Sequence, residues 1–248
     1  MDNLHEQIKE KLSAIKNLDE SQILQNKRNF VFITSLSNDL KVVVKLFKKP
    51  NYINRIVYGY FRSSKAKRSF NYAKKLTELD LGTPKPISYF EQKSILGLSD
   101  SYYCCEFVQY DFTFRYLTTN DQVDDFDNII REFTRFTFNL HEKGVYFLDH
   151  SPGNTLIRKP KGPDKGYEFF LVDLNRMLFK DLSLNDRIKN FSRLTKRKDI
   201  IKIMSDEYAL LIEEDFELIY DMMFLEVQKF QDKFFRKKRL KKKLKFWK

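Results

Sequence analysis

Three oxygen-bearing side chains lie in one stretch, spaced so that they could serve a single reaction. Asp149, Asn154 and Asp173 fall in HEKGVYFLDHSPGNTLIRKPKGPDKGYEFFLVD, residues 141–173. Asp149 precedes Asn154 by five positions, across a tight Ser-Pro-Gly loop. Thr155–Arg158 reads as a short apolar strand, and 159–166, with two Pro and two Gly, as a turn. Glu168–Val172 is the returning strand. Antiparallel pairing brings Asn154 and Asp173 to one end of this hairpin, so the three groups are expected to converge. Phosphoryl transfer needs such a set: a group that orients or deprotonates the attacking hydroxyl, and hard oxygen ligands for magnesium on the nucleotide phosphates. The alternative is a surface hairpin whose Asp, Asn and Gly only form turns.

The elements that would position these groups follow from pattern. Leu40–Phe47 (LKVVVKLF) is the clearest strand of the first half, with Lys45 set among apolar neighbours. A lysine there needs an anionic partner or must carry its charge out of the core. It is either a phosphate-binding lysine or a strand lysine reaching for water. Leu4–Ile15 and 63–79 have helical rhythm, the latter capped by Ser63 or Ser64. Phe30–Ser35, Ile87–Glu91 and Tyr102–Gln109 read as strands, and 48–62 as a basic, aromatic connector. Val123–Leu140 returns to helical spacing, Gly144 is a helix C-cap, and His141 is structural rather than a base. Helical segments run from Asp186 to about Phe230.

At 248 residues and 42% hydrophobic content the chain can bury a substantial core. Cys104 and Cys105 are adjacent in an apolar setting, so a buried strand with free thiols in a reducing compartment is expected. The amino terminus lacks the apolar core of a signal peptide, and no apolar run approaches the length of a bilayer span. The protein is expected in the cytosol. The net charge of +12 is concentrated: residues 229–248 hold eleven Lys or Arg and one Asp, leaving +2 for the rest. Basic residues in this tail are interleaved with Phe234, Phe235, Leu240, Leu244, Phe246 and Trp247, a pattern suited to an anionic membrane surface; the alternative is a solvated terminus of self-repelling charge. No base-reading module is present, so no specific nucleic acid is expected as partner.

The blocks VVVKLFKKPNYINRIVYGYFRSSKAKRSF, LDLGTPKPISYFE, HEKGVYFLDHSPGNTLI and FLVDLNRM, within about 42–177, resemble the lipopolysaccharide inner-core kinases, the Kdo and heptose kinase group, in their Bacteroidetes-type form. The resemblance implies an α+β, two-lobed protein-kinase-like fold, with a β-rich N-lobe at 1–108, a helical C-lobe at 109–230 and the tail at 231–248. It implies transfer of the ATP γ-phosphate to a sugar hydroxyl of a Kdo–lipid A type acceptor, at the inner face of the bacterial inner membrane. Asp149 would be the catalytic aspartate, with Asn154 and Asp173 as magnesium ligands. Lys45 would hold the α- and β-phosphates, and backbone groups of Glu106 and Val108 would meet the adenine edge. Between Gln25 and Ser37 the family's fold places a glycine-rich phosphate loop. This chain has no glycine there, and Lys27 and Arg28 would supply charge instead. The helix after Lys45 has Asn71 at its middle and its only glutamate, Glu78, at its end, so the partner of Lys45 is open. Two other functions stand beside this one: a phosphotransferase for a soluble molecule or protein, and a weak or inactive kinase-like scaffold.

Overall fold

The structure is a computed structural model that describes residues 2–13, 19, 22–26, 29–37, 39–120, 122–162 and 165–245. It divides into two compact units. One holds the chain up to Gln109 and takes back the short segment Val172–Arg176; the other holds Tyr110–Leu171 and the chain from Met177 onward.

The first unit is built on a five-stranded antiparallel sheet. Helix α1 (Asp2–Ser13) precedes β1 (Ile23–Asn26), β2 (Phe30–Ser35) and β3 (Lys41–Leu46). A short helix, α2 (Tyr52–Ile56), runs into a π-helical turn over Val57–Phe61, and α3 spans Lys65–Glu78. Then come β4 (Pro86–Ser94) and β5 (Gly97–Glu106). The sheet order is β1-β2-β3-β5-β4, so the Val-rich β3 lies at the centre. Branched residues suit that place, where both edges are paired and side chains pack on the pleat. Phe32, Val42, Val44, Tyr102 and Cys104 form one core cluster with Ile8 of α1. Each large apolar side chain so buried contributes roughly 1.5–3 kcal/mol relative to exposure. Cys104 and Cys105 are free and buried, and burial pushes the Cys105 thiol up to about 12.

Helix α3 begins where Ser64 accepts a hydrogen bond from the Lys67 amide at 3.0 Å. Residues 48–62, read from the sequence as a basic, aromatic connector, contain helix. The Asn51 side chain accepts from the Asn54 amide at 3.0 Å and starts a turn that aromatic spacing alone does not announce.

The second unit is mostly helical. Strand β6 (Phe112–Thr113) leads into α4 (Phe114–Thr119) and α5 (Phe126–Glu142), followed by β7 (Val145–Phe147), β8 (Thr155–Arg158), β9 (Glu168–Leu171) and β10 (Met177–Phe179). Helices α6 (Leu184–Phe191), α7 (Lys198–Ile212) and α8 (Phe216–Lys245) close the chain. Ile129, Ile130 and Phe133 of α5 pack with Ile200, Met204 and Tyr208 of α7 and with Ile219, Met223 and Val227 of α8. Glu207, itself buried, accepts from Arg135 at 2.6 Å and Arg131 at 3.1 Å, pinning α7 to α5. Gly144 follows α5 with φ +67, a conformation that costs a non-glycine residue roughly 1–2 kcal/mol. The expected hairpin is β8 and β9, in a register that pairs Thr155 with Leu171 and Arg158 with Glu168. The boundary expected at residue 231 falls inside α8, which runs through it without a break. Among the described residues no helix is long and apolar enough to cross a membrane.

Candidate active site

The expected site residues that the structure describes fall mainly in two side-chain clusters, one in each unit. In the first, Lys45 lies on β3 between Val31 of β2 and Tyr103 of β5, bonded to both strands. Its ammonium donates to Oδ1 of Asp173 at 2.6 Å, across 128 residues of chain. The lysine is the more buried partner, 12% exposed against 39% for the aspartate. An ammonium so placed would be destabilising without this carboxylate. Asn175 also donates to Oδ1 of Asp173, at 2.5 Å, so both donors converge on one carboxylate oxygen. Neither engages Oδ2. Asp173 itself has φ 59, a left-handed conformation that Asp tolerates better than most residues but that still carries strain.

The open question of what Lys45 pairs with is thereby answered within the first unit. Asn71 is exposed, and Glu78 spends its carboxylate on Lys74 at 3.8 Å, one turn away. The partner comes from the returning segment and not from helix α3.

In the second cluster, Asp149 sits in the loop between β7 and β8. Local bonds shape that loop: the His150 amide donates to the Phe147 carbonyl at 3.1 Å and the Asn154 amide to the Ser151 carbonyl at 2.9 Å. The Asn154 side-chain Nδ2 donates to the Asp149 carbonyl at 2.8 Å. With Nδ2 committed in this way, Oδ1 is the Asn154 atom left to ligate a cation. Arg193, in the turn after α6, donates through Nη1 to the Leu148 carbonyl at 2.6 Å and to Asp149 Oδ1 at 2.7 Å. Its guanidinium also lies over the Phe230 ring, 5.7 Å from the centroid. Arg115 reaches the same loop: its amide donates to the Pro152 carbonyl at 2.7 Å. A Cβ on Gly153 would stand 2.9 Å from the Arg115 Nη2. Glycine there lets a guanidinium approach the loop backbone.

Two histidines, His141 at the end of α5 and His150 in the loop itself, are buried and neutral. Burial pushes His141 down to about 4 and His150 to about 3. Asn190 donates to the Phe147 carbonyl through Nδ2 at 2.8 Å, so its Oδ1 accepts from His141 Nε2, 3.2 Å away. His141 Nδ1 then accepts from the Tyr208 hydroxyl at 2.8 Å. His141 is thus structural, in line with the sequence reading.

The other expected site residues fall as follows. Glu106 ends β5, and its amide is used by the Lys85 carbonyl at 2.9 Å, which removes one of the backbone groups expected to meet an adenine. Val108 lies just beyond, outside any helix or strand. Lys27 and Arg28 lie outside the described residues. Sequence reasoning missed Arg193, Arg115 and Asn175. Asn175 had a signal, standing two residues past Asp173. Arg193 had none, being 44 residues from Asp149 in a segment rich in basic residues. Among the described residues no three His, Cys, Asp or Glu side chains gather into a metal site. Magnesium is commonly held by one or two protein oxygens together with substrate phosphates, and the hard oxygens of Asn154 and Asp173 suit it chemically.

No protein-family model and no curated protein sequence matches this chain. Among solved structures, the chain is similar to WaaP in complex with acyl carrier protein, with a TM-score of 0.59 at 13% identity, covering 89% of this chain and 91% of that one. It is also similar to the Rio2 kinase from Chaetomium thermophilum, with a TM-score of 0.49 at 16% identity, covering 90% and 76%. The fold is α+β and protein-kinase-like, as expected, and the WaaP likeness carries that conclusion.

Proposed function

We propose that this chain is an ATP-dependent kinase that phosphorylates a sugar hydroxyl of the lipopolysaccharide inner core, on an acceptor of the Kdo–lipid A type. The observation that carries the reading is the 2.6 Å pair between Lys45 on the central strand and Asp173. In kinases a strand lysine binds the nucleotide phosphates and a separate aspartate holds the metal; Lys45 and Asp173 correspond to those two groups, with Asp173 itself taking the place of the helix glutamate with which such a lysine pairs. WaaP, the protein of like fold, is a lipopolysaccharide core heptose kinase, and the sequence blocks named above resemble the same group.

In this reading Lys45 binds the α- and β-phosphates. Asp173 and Asn154 are each suited to be a magnesium ligand, and the ion would neutralise charge on the nucleotide phosphates. Asp149 orients the acceptor hydroxyl and takes its proton. Arg193 holds the Asp149 carboxylate through one bond and the Leu148 carbonyl of the loop through another, both from Nη1. Mass spectrometry of Kdo–lipid A after incubation with magnesium-ATP tests the proposal. A single added phosphate is expected, and unmodified lipid beside a phosphorylated soluble sugar or protein would replace this acceptor with another.

The carboxyl-terminal part of α8 serves the same reading as a membrane contact. Phe234, Phe235 and Leu240 are exposed on it among Lys and Arg, and each basic residue near an anionic surface contributes about 1 kcal/mol. The Leu244 side chain, Phe246 and Trp247 lie outside the described residues. A chain ending at Asp232 should lose much of its co-sedimentation with anionic vesicles. Equal binding by both forms would remove the tail from the account.

A further inference from the structure

The first unit carries a second surface of unusual character. Residues 48–70, KKPNYINRIVYGYFRSSKAKRSF, hold seven Lys or Arg and no Asp or Glu. Within this stretch α2 and the π-helical turn turn large apolar side chains outward. Tyr52 is 79% exposed, Ile53 75%, Tyr60 63% and Phe61 82%. Beside them, at the turn between β4 and β5, Ile95 is 94% exposed and Leu96 64%.

The segments that carry these six side chains are joined to one another. The Tyr60 hydroxyl donates to the Ile95 carbonyl at 3.0 Å. The two backbones meet through glycines: a Cβ on Gly59 would stand 2.7 Å from the Gly97 Cα, and one on Gly97 2.2 Å from the Arg55 carbonyl oxygen. Arg68 of α3 lies over the Tyr58 ring at 5.8 Å, tying the turn to the helix behind it. On the polar side a cavity of about 240 Å³ is lined by Lys48, Lys49, Asn51, Asn54, Lys65 and Ser101 among others. Lys49 is partly offset by Asp100 at 3.2 Å.

A monomer does not usually display large apolar residues together without a partner for them. A second copy of the chain is a poor partner here, because it would bring the same seven positive charges to the contact. Tyr and Phe rings among aliphatic side chains, rimmed by lysines, match the polar and apolar layers of a bilayer interface. We infer that residues 48–62 and the β4–β5 turn form a membrane-seating surface on the first unit. The exposed apolar residues enter the interfacial layer of an anionic bilayer, and lipid phosphates bind at the Lys48, Lys49 and Lys65 cavity. This surface is separate in sequence from the tail of α8 and needs no nucleotide.

The test uses full-length protein with vesicles of phosphatidylglycerol and phosphatidylethanolamine, or of phosphatidylcholine alone. Phe61→Trp is made in a Trp247→Phe background, so that one tryptophan reports from the turn. On adding the anionic vesicles its emission should shift to the blue and be quenched by brominated phosphatidylglycerol. Phosphatidylcholine vesicles should produce neither change. The double substitution Phe61→Ser with Ile95→Ser should weaken vesicle binding about tenfold or more, while nucleotide-induced thermal stabilisation stays as in the wild type. Unchanged emission from a protein that sediments with the vesicles would overturn the inference and leave the tail as the contact. So would a blue shift produced by self-association or by an acidic protein but not by lipid. If the double variant does not fold, the tryptophan reporter decides alone.

Discussion

The two clusters fix their carboxylates by different means. Asp173 is held against a lysine that both neighbouring strands of a central β-strand keep in register. Asp149 sits in a loop, held by the local bonds of Asn154 and by one arginine from 44 residues away. A sheet fixes a position through many shared backbone bonds, so no single side chain decides where Lys45 lies. A loop is fixed by few bonds, and the loss of one guanidinium can let the carboxylate drift. The first cluster should therefore tolerate changes around it, while the second should depend sharply on Arg193.

The largest effect is expected from Asp149→Ala. Turnover should fall on the order of a hundredfold or more, because a base or orienting group is lost. The melting temperature should hold, since Asp149 lies in a polar loop where truncation opens no core cavity. Steady-state kinetics beside a thermal melt check both parts, and near-normal turnover in a folded variant would remove Asp149 from the reaction.

Arg193→Ala should come next, at roughly tenfold to a hundredfold in kcat, because a displaced catalytic group costs about that much. The KM for ATP should change little. Arg193→Lys should recover part of the loss, since one nitrogen makes both bonds and an ammonium can take its place. Equal kcat in wild type and Arg193→Ala would show that the loop holds Asp149 unaided, and the contrast between the clusters would fail.

The smallest effect concerns pH. His141 and His150 bind protons more weakly folded than unfolded, near 4 and 3 against an ordinary 6.5. Between about pH 6.5 and 4 the unfolded chain therefore holds more protons, and stability falls as the pH falls. The slope should reach up to ~1.4 kcal/mol per pH unit for each histidine. Urea melts from pH 7 to 4 measure it, and a flat profile would contradict the neutral burial of the two histidines.

The sequence carried the parts that depend on local pattern. The Val-rich run in KVVVKL and the Pro-Gly turn before Glu168 marked β3 and the β8–β9 hairpin, because strand composition and turn chemistry are local properties. Ser64 announced the start of α3 by the same logic. The partner of Lys45 was not legible, since a contact across 128 residues leaves no trace in spacing. Arg193 was hidden for the same reason. The helix within 48–62 was missed because its exposed aromatics have no buried face to set a 3.6-residue rhythm.

The central claim is that Lys45 and Asp173 form the phosphate-binding half of a nucleotide site, and the most direct test needs no acceptor. Thermal melts are recorded with increasing magnesium-ATP for the wild type, Lys45→Ala and Asp173→Ala. Ligand at a hundred times its Kd stabilises a folded protein by about 2.7 kcal/mol, enough for a clear upward shift. The account predicts a concentration-dependent shift in the wild type that is lost or greatly reduced in both variants. Equal stabilisation of all three proteins by magnesium-ATP would place the nucleotide elsewhere and contradict it.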